Sequence, residues 1–135
     1  MSKQYVWPLA QPLQVTCSFT CHKKRKPPSN TPGTDYAKKT GTKIKSITSG
    51  VVTYVNTVGA GSAGKNVTVK HGRGFYSYYF HMSSVSVKAG DRVDAGDLLG
   101  AVGSTGASTG PHLHLSLRYL GKLIDAHKFL SSRVK

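Results

Sequence analysis

From His112 to Leu117 the chain alternates polar and apolar residues without a break: His112, Leu113, His114, Leu115, Ser116, Leu117. In an extended backbone, successive side chains point to opposite faces. The run therefore reads as a strand with three leucines on one face and His112, His114 and Ser116 on the other. A leucine row needs a core and a strand needs neighbours, so the rest of the chain must supply a sheet. It does so in short pieces. Ile44, Ile47, Val51, Val52, Tyr54 and Val55 give strands broken at Ser49-Gly50; Val67, Val69 and His71 alternate; Phe75 to His81 is an aromatic strand; Leu98 to Val102 is a short apolar one. Gly41, Gly72-Arg73-Gly74, Lys88-Ala89-Gly90-Asp91, Ala95-Gly96-Asp97 and Gly121 mark turns, and Gly59 to Gly64 reads as a flexible hairpin tip. Short strands with a turn every 8–12 residues, by the general rule, predict an all-β sandwich or barrel. Fifteen glycines suit that class better than a helical bundle.

At 135 residues the chain suits a single domain, 1–135. Residues 1–31 supply a strand at Val15 to Phe19 leading into the sheet and a basic, proline-rich loop; residues 32–130 are the core. The loop is expected over 22–34, where Pro27, Pro28, Pro32 and Gly33 exclude regular structure. Near the C-terminus, 124–130 reads as a short helix with Asp125 as its N-cap. A faint internal echo sets Gly41-Thr42-Lys43-Ile44…Gly50-Val51-Val52 against Gly90-Asp91-Arg92-Val93…Gly100-Ala101-Val102.

The formal charge is +14, which predicts attraction to polyanions without choosing among them. All five acidic residues are Asp, so a glutamate base is excluded and any general base is His, Asp or metal-bound hydroxide. No apolar run approaches the ~20 residues of a membrane span, and the first residues lack the apolar core of a signal peptide. Synthesis in the cytoplasm is the expectation. Cys17 and Cys21 either pair or remain thiols, and Cys17-x-x-x-Cys21-His22 lacks the second cysteine pair of a structural zinc cluster.

Six histidines are available: His22, His71, His81, His112, His114 and His127. His112 and His114 stand about 6–7 Å apart along one strand face, a spacing that suits one holding a metal while the other works beside it. Catalytic zinc takes three nitrogen or oxygen ligands and leaves one position open, and it lowers the pKa of a held water to roughly 7. With no Glu, an oxygen ligand must be Asp. Asp91, Asp94 and Asp97 sit at turns, and Asp125 is a cap. Asp35, at the start of a strand after Pro32-Gly33, is the one left over.

These motifs carry a resemblance. Gly103-Ser-Thr-Gly-Ala-Ser-Thr-Gly-Pro-His-Leu-His114 is similar to the signature of the lysostaphin-type (LytM-like) zinc endopeptidases of peptidoglycan. Upstream, Pro32-Gly-Thr-Asp-Tyr-Ala37, Asn66-Val-Thr-Val-Lys-His71, Tyr78-Tyr-Phe-His81 and Val87-Lys-Ala-Gly-Asp-Arg-Val93 resemble further family segments in the right order. The resemblance implies a compact antiparallel β-sandwich of duplicated hybrid motif type, with a substrate groove and the short C-terminal helix. It also implies Zn2+ as cofactor, Asp35 and His114 as ligands, and His81 and His112 as the catalytic pair. One departure stands out: the family's first ligand, a histidine, falls at Thr31. The segment His22-Lys-Lys-Arg-Lys-Pro-Pro-Ser29 resembles the phage endolysin version of the domain, which implies that His22 is the missing ligand. His71 reads as a structural strand histidine.

The implied function is a zinc-dependent peptidoglycan endopeptidase, a phage lysin that hydrolyses peptide cross-links, with D-alanyl to diamino-acid bonds favoured over glycine bridges. Its partners would be stem and cross-bridge peptides, and anionic cell-wall polymers drawn by the +14 charge. A monomer is expected, acting on the wall after holin-type export or virion delivery. Nucleic acid is not expected as a partner, since Phe75 to Phe80 alternates between core and groove. The competing reading is a non-catalytic relative that binds wall or activates another hydrolase, resting on Thr31.

Overall fold

The structure, a computed structural model, describes residues 4–24 and 31–134. The stretch 25–30 of the expected proline-rich loop lies outside the described residues. Among those described, ten strands pair throughout in antiparallel fashion. The main sheet runs β1 (Val15–Cys17), β2 (Thr34–Ala37), β9 (His112–Tyr119), β6 (Phe75–Val85), β5 (Lys65–Gly72), β4 (Gly50–Asn56) and β7 (Arg92–Val93). β10 (Lys122–Ile124) closes a hairpin on β9. β3 (Lys43–Lys45) and β8 (Leu98–Val102) branch from the far end of β6, whose eleven residues reach both groups. The all-β antiparallel class agrees with the strand pattern.

Period-two burial places the core. Leu113, Leu115 and Leu117 have no exposed surface, and they join Tyr36, Val67, Val69, Tyr79, Ile44, Leu99 and Val102 in one cluster. On β6, Phe75, Ser77 and Tyr79 are buried while Tyr76, Tyr78 and Phe80 stay half-buried, the expected division between core and groove. The opposite face of β9 is no solvent face, however: His114 is 4% exposed and Ser116 fully buried. The side that carries the chemistry is covered.

The internal echo has a structural counterpart. β3 pairs with β8 and β4 with β7, so the two echoing segments exchange partners. The registers correspond position by position: Lys43↔Ala101 and Ile44↔Gly100 on one side match Arg92↔Val51 and Val93↔Gly50 on the other. Flanking bonds repeat the relation, with Gly41 N–H to Val102 and Gly90 N–H to Val52. The turn aspartates serve backbone roles as expected: Asp91 accepts from Lys88 N–H and Asp97 from Asp94 N–H.

Two expectations need correction. The N-terminal strand stops at Cys17, and Phe19–Lys24 is a short helix, α1, so His22, Lys23 and Lys24 are helical rather than in a loop. Ser18 caps that helix, its Oγ accepting from Cys21 N–H, and the last turn carries only basic groups, which favour the negative end of the helix dipole. A Cys17–Cys21 disulfide ties it to β1. Nor is the tip at Gly59–Gly64 a free end. Ser62 and Ala63 accept from Ala107 and His81 N–H, locking it against the glycine-rich loop before β9 and against β6. The C-terminal helix α2 (Ala126–Ser131) follows the prediction, capped by Asp125.

Candidate metal centre

The register of four strands writes a row across the sheet. Cys17 on β1 pairs with Asp35 on β2, Asp35 with His114 on β9, and His114 with Phe80 on β6. Directly opposed residues share a face, so Asp35 and His114 are neighbours by construction. Gly33 lets β2 come this close: a Cβ there would run into the Leu115 carbonyl and Ser116 Oγ. From α1 above the row, His22 inserts a ring that is 1% exposed. His22 and His114 meet edge to face at 4.6 Å between centroids.

Three donor atoms converge. His114 Nδ1 lies 2.8 Å from Asp35 Oδ1, and His22 Nε2 lies 3.2 Å from Asp35 Oδ2. Each ring is held from behind by a backbone carbonyl, which can only accept. His22 Nδ1 donates to Ser18 O at 2.9 Å, and His114 Nε2 donates to Thr31 O at 2.8 Å, with Ser116 Oγ 2.9 Å away. With the N–H fixed on the far side, the near nitrogen of each ring faces the carboxylate, where it shares a proton with it or offers a lone pair to a cation. Buried His22 Nε2 has no hydrogen-bond partner despite its closeness to Asp35. Two lone pairs facing an anion repel it unless a proton or a cation lies between them. Burial alone would raise the Asp35 pKa, but the His114 ring first and the His22 ring second outweigh it and hold the carboxyl well below the usual carboxylate range. Ring nitrogens on either side of one carboxylate, with their far-side nitrogens fixed by carbonyls, are donors that fit a divalent metal of the zinc type.

His81 and His112 border the same point. Their centroids are 4.8 Å apart, and His112 Nε2 is 3.6 Å from Asp35 Oδ1. They repeat the arrangement: His81 Nδ1 donates to Thr105 O at 2.7 Å, and His112 Nδ1 to Gly110 O at 2.8 Å. Both therefore present Nε2 as an acceptor. His81 occupies a left-handed backbone conformation, φ 64°, which is strained for a residue with a Cβ and is held by its N–H bond to Ala63. Burial, with the neighbouring imidazoles, pushes His81 down to about 4, overriding its bond to Thr105.

The five residues singled out from the sequence, His22, Asp35, His81, His112 and His114, thus gather in one place. They line an open cleft of about 780 Å³ whose walls are the 62–63 tip and the 107–111 loop. The other two histidines lie elsewhere. His71 bonds Ser49 O and Ser77 Oγ, and His127 accepts from Tyr36 Oη. Thr31 retains a part in the site through its carbonyl instead of its side chain. That contribution, like those of Ser18, Thr105 and Gly110, had no sequence signal, because every residue carries a carbonyl. Ser116 had one: it shares the strand face of His112 and His114.

Comparison with known proteins agrees with this geometry. Residues 29–126 match the family model described as Peptidase family M23. Among curated proteins, the chain is 40% identical over 105 residues to the peptidoglycan DD-endopeptidase ShyA of Vibrio cholerae, covering 78% of this chain and 24% of that protein. The chain spans about a quarter of the length of the curated relatives it matches. Among solved structures, a zinc-containing peptidase from Vibrio cholerae superposes with a TM-score of 0.80 at 27% identity, covering 93% of this chain and 39% of that one. The catalytic domain of the prophage-encoded M23 protein EnpA from Enterococcus faecalis, crystallised as a mutant, gives 0.72 at 34% identity, covering 89% and 93%. The chain belongs to peptidase family M23.

Proposed function

We propose that the protein is a zinc-dependent peptidoglycan endopeptidase in which His22, Asp35 and His114 hold the metal and His81 and His112 handle protons. The observation that carries this reading is the set of four imidazoles, each tied back by a carbonyl, of which His22, His112 and His114 turn the other nitrogen toward Asp35 while His81 stands beside His112. Zinc in that position would supply Lewis-acid polarisation and a nucleophile at neutral pH.

The chain's own groups account for the remaining work. His81 and His112, both acceptors at Nε2, are placed to take a proton from an attacking O–H and later to release it to the leaving amine. The buried His81 is a poor home for charge, whereas the His112 side chain is 16% exposed. His112 is therefore assigned the travelling proton, and neutral His81 orients the nucleophile. An extended peptide would enter along the cleft beside them, between the 62–63 tip and the 107–111 loop.

The substrate assignment is a cross-link between D-alanine and a diamino acid, supported by the similarity to a DD-endopeptidase. Similarity to a prophage-encoded catalytic domain supports a phage lysin, released to the wall by a holin or carried on the virion. The +14 charge would concentrate the enzyme on anionic wall polymers. The non-catalytic alternative loses its main support once His22 takes the place left by Thr31. Metal analysis of the purified protein, His22→Ala and His114→Ala, together with mass identification of products from defined muropeptides, tests the reading. One zinc per chain lost in both variants, with cleavage at D-alanyl bonds, is expected. Cleavage without zinc would overturn it.

A further inference from the structure

The disulfide lies against the metal centre. Cys17 is directly opposite Asp35 in the β1–β2 register and is 5% exposed, whereas Cys21 is exposed on α1, one residue before His22. The Cys17 sulfur, a His22 ring nitrogen and an Asp35 oxygen lie within 4.8 Å of one another. Ligands bound to one tetrahedral zinc at about 2.0–2.3 Å stand roughly 3.3–3.8 Å apart, so a small closing movement would bring the sulfur within bonding reach of a metal held by His22 and Asp35. In the disulfide that sulfur offers no thiolate.

We infer that the Cys17–Cys21 pair is a redox switch on the metal centre. In the reduced protein the Cys17 thiolate becomes a fourth ligand beside His22, Asp35 and His114; in the oxidised protein it withdraws into the disulfide and leaves that position to solvent. The inference rests on the proposed metal centre. Four protein ligands make a closed, structural type of zinc site, and three with an open position make a catalytic one. Reduction therefore tightens metal binding and silences hydrolysis. Cys17 keeps its place without the disulfide because β1 is paired with β2, and His22 keeps its bond to Ser18 O and its contact with His114.

The chemistry balances. A dithiol gives up two electrons and two protons to the Cys17–Cys21 bond and itself closes to a disulfide. The Cys17 thiol then loses its proton to solvent as it binds the metal. In the reverse direction a small disulfide accepts the electron pair and leaves as thiols, while Cys17 and Cys21 rejoin. A wall hydrolase built this way is closed where thiols are kept reduced and opens where they are oxidised.

The test uses the full chain loaded with cobalt, before and after reduction by a phosphine, which takes oxygen from water as it splits the disulfide and adds no competing thiol. A thiolate-to-cobalt charge-transfer band in the near ultraviolet is expected in the reduced protein and, without reductant, in Cys21→Ser. It should be absent from the oxidised protein and from reduced Cys17→Ser. Chelator competition should show zinc held at least about tenfold tighter after reduction. Reduction that leaves cobalt bound with no such band, or that weakens zinc, overturns the switch while leaving the metal centre standing. Failure of the oxidised protein to bind cobalt through His22 and His114 overturns the metal centre, and the switch with it.

Discussion

His81→Asn in the metal-free protein isolates the energetic consequence of burying an imidazole in this cleft. Asn tolerates the left-handed backbone that His81 adopts, and its amide can donate to the Thr105 carbonyl, so the substitution removes the titrating ring with little other disturbance. Burial pushes His81 from 6.5 to about 4 in the folded state. Between these values the unfolded chain binds more protons than the native one, so stability falls as pH is lowered through that window. It is fully present above about 6.5 and lost by about 4. The span corresponds to roughly 3 kcal/mol. Urea unfolding of the chelated wild type and variant at pH 7.5, 6, 5 and 4 reads it directly. The wild type should lose about 3 kcal/mol more than His81→Asn between the extremes, the difference opening below pH 6.5. Parallel curves would mean that His81 is not buried neutral, and its assigned role as an acceptor would fail.

Three further substitutions separate the layers of the account. Ser116→Ala removes a hydroxyl that touches His114 Nε2 and bonds the Pro32 carbonyl; zinc affinity by chelator competition should fall roughly 10- to 100-fold. Gly33→Ala drives a methyl into the Leu115 carbonyl and Ser116 Oγ, forcing β2 from β9; thermal unfolding should show a loss of roughly 3 kcal/mol or more. Asp125→Ala deletes the α2 cap and should cost about 1 kcal/mol of stability by urea titration, leaving zinc stoichiometry unchanged because α2 lies outside the site.

Strand alternation made most of the sheet legible: β6 alternates in burial as its sequence does, and β9 alternates in chemistry, leucines on one face and His112, His114 and Ser116 on the other, although both of its faces are covered. The aspartates were sorted by turn chemistry, which left Asp35 for the site, and that is where the register puts it. α1 was missed because the alternation of Val15 to Phe19 runs into it, and a six-residue helix depends on its cap and the burial of His22 instead of on a periodic face. The locked Gly59–Gly64 tip was missed for a related reason: glycine spacing shows where a chain turns, but not what the turn packs against. Gly106 shows the reciprocal constraint, its φ of 77° and contact with the Ser62 and Gly64 backbone leaving no room for a side chain. The carbonyls that fix four ring orientations have no side-chain signature at all.

The central claim is that His22, and not Thr31, completes a three-ligand centre with Asp35 and His114. An anomalous-scattering crystal structure of the zinc-loaded, oxidised protein addresses it most directly. The account predicts zinc bound by His22 Nε2, an Asp35 oxygen and His114 Nδ1, with the Thr31 carbonyl still accepting from His114 Nε2. Zinc bound through the Thr31 side chain, or bound with the His22 ring turned away, would contradict it.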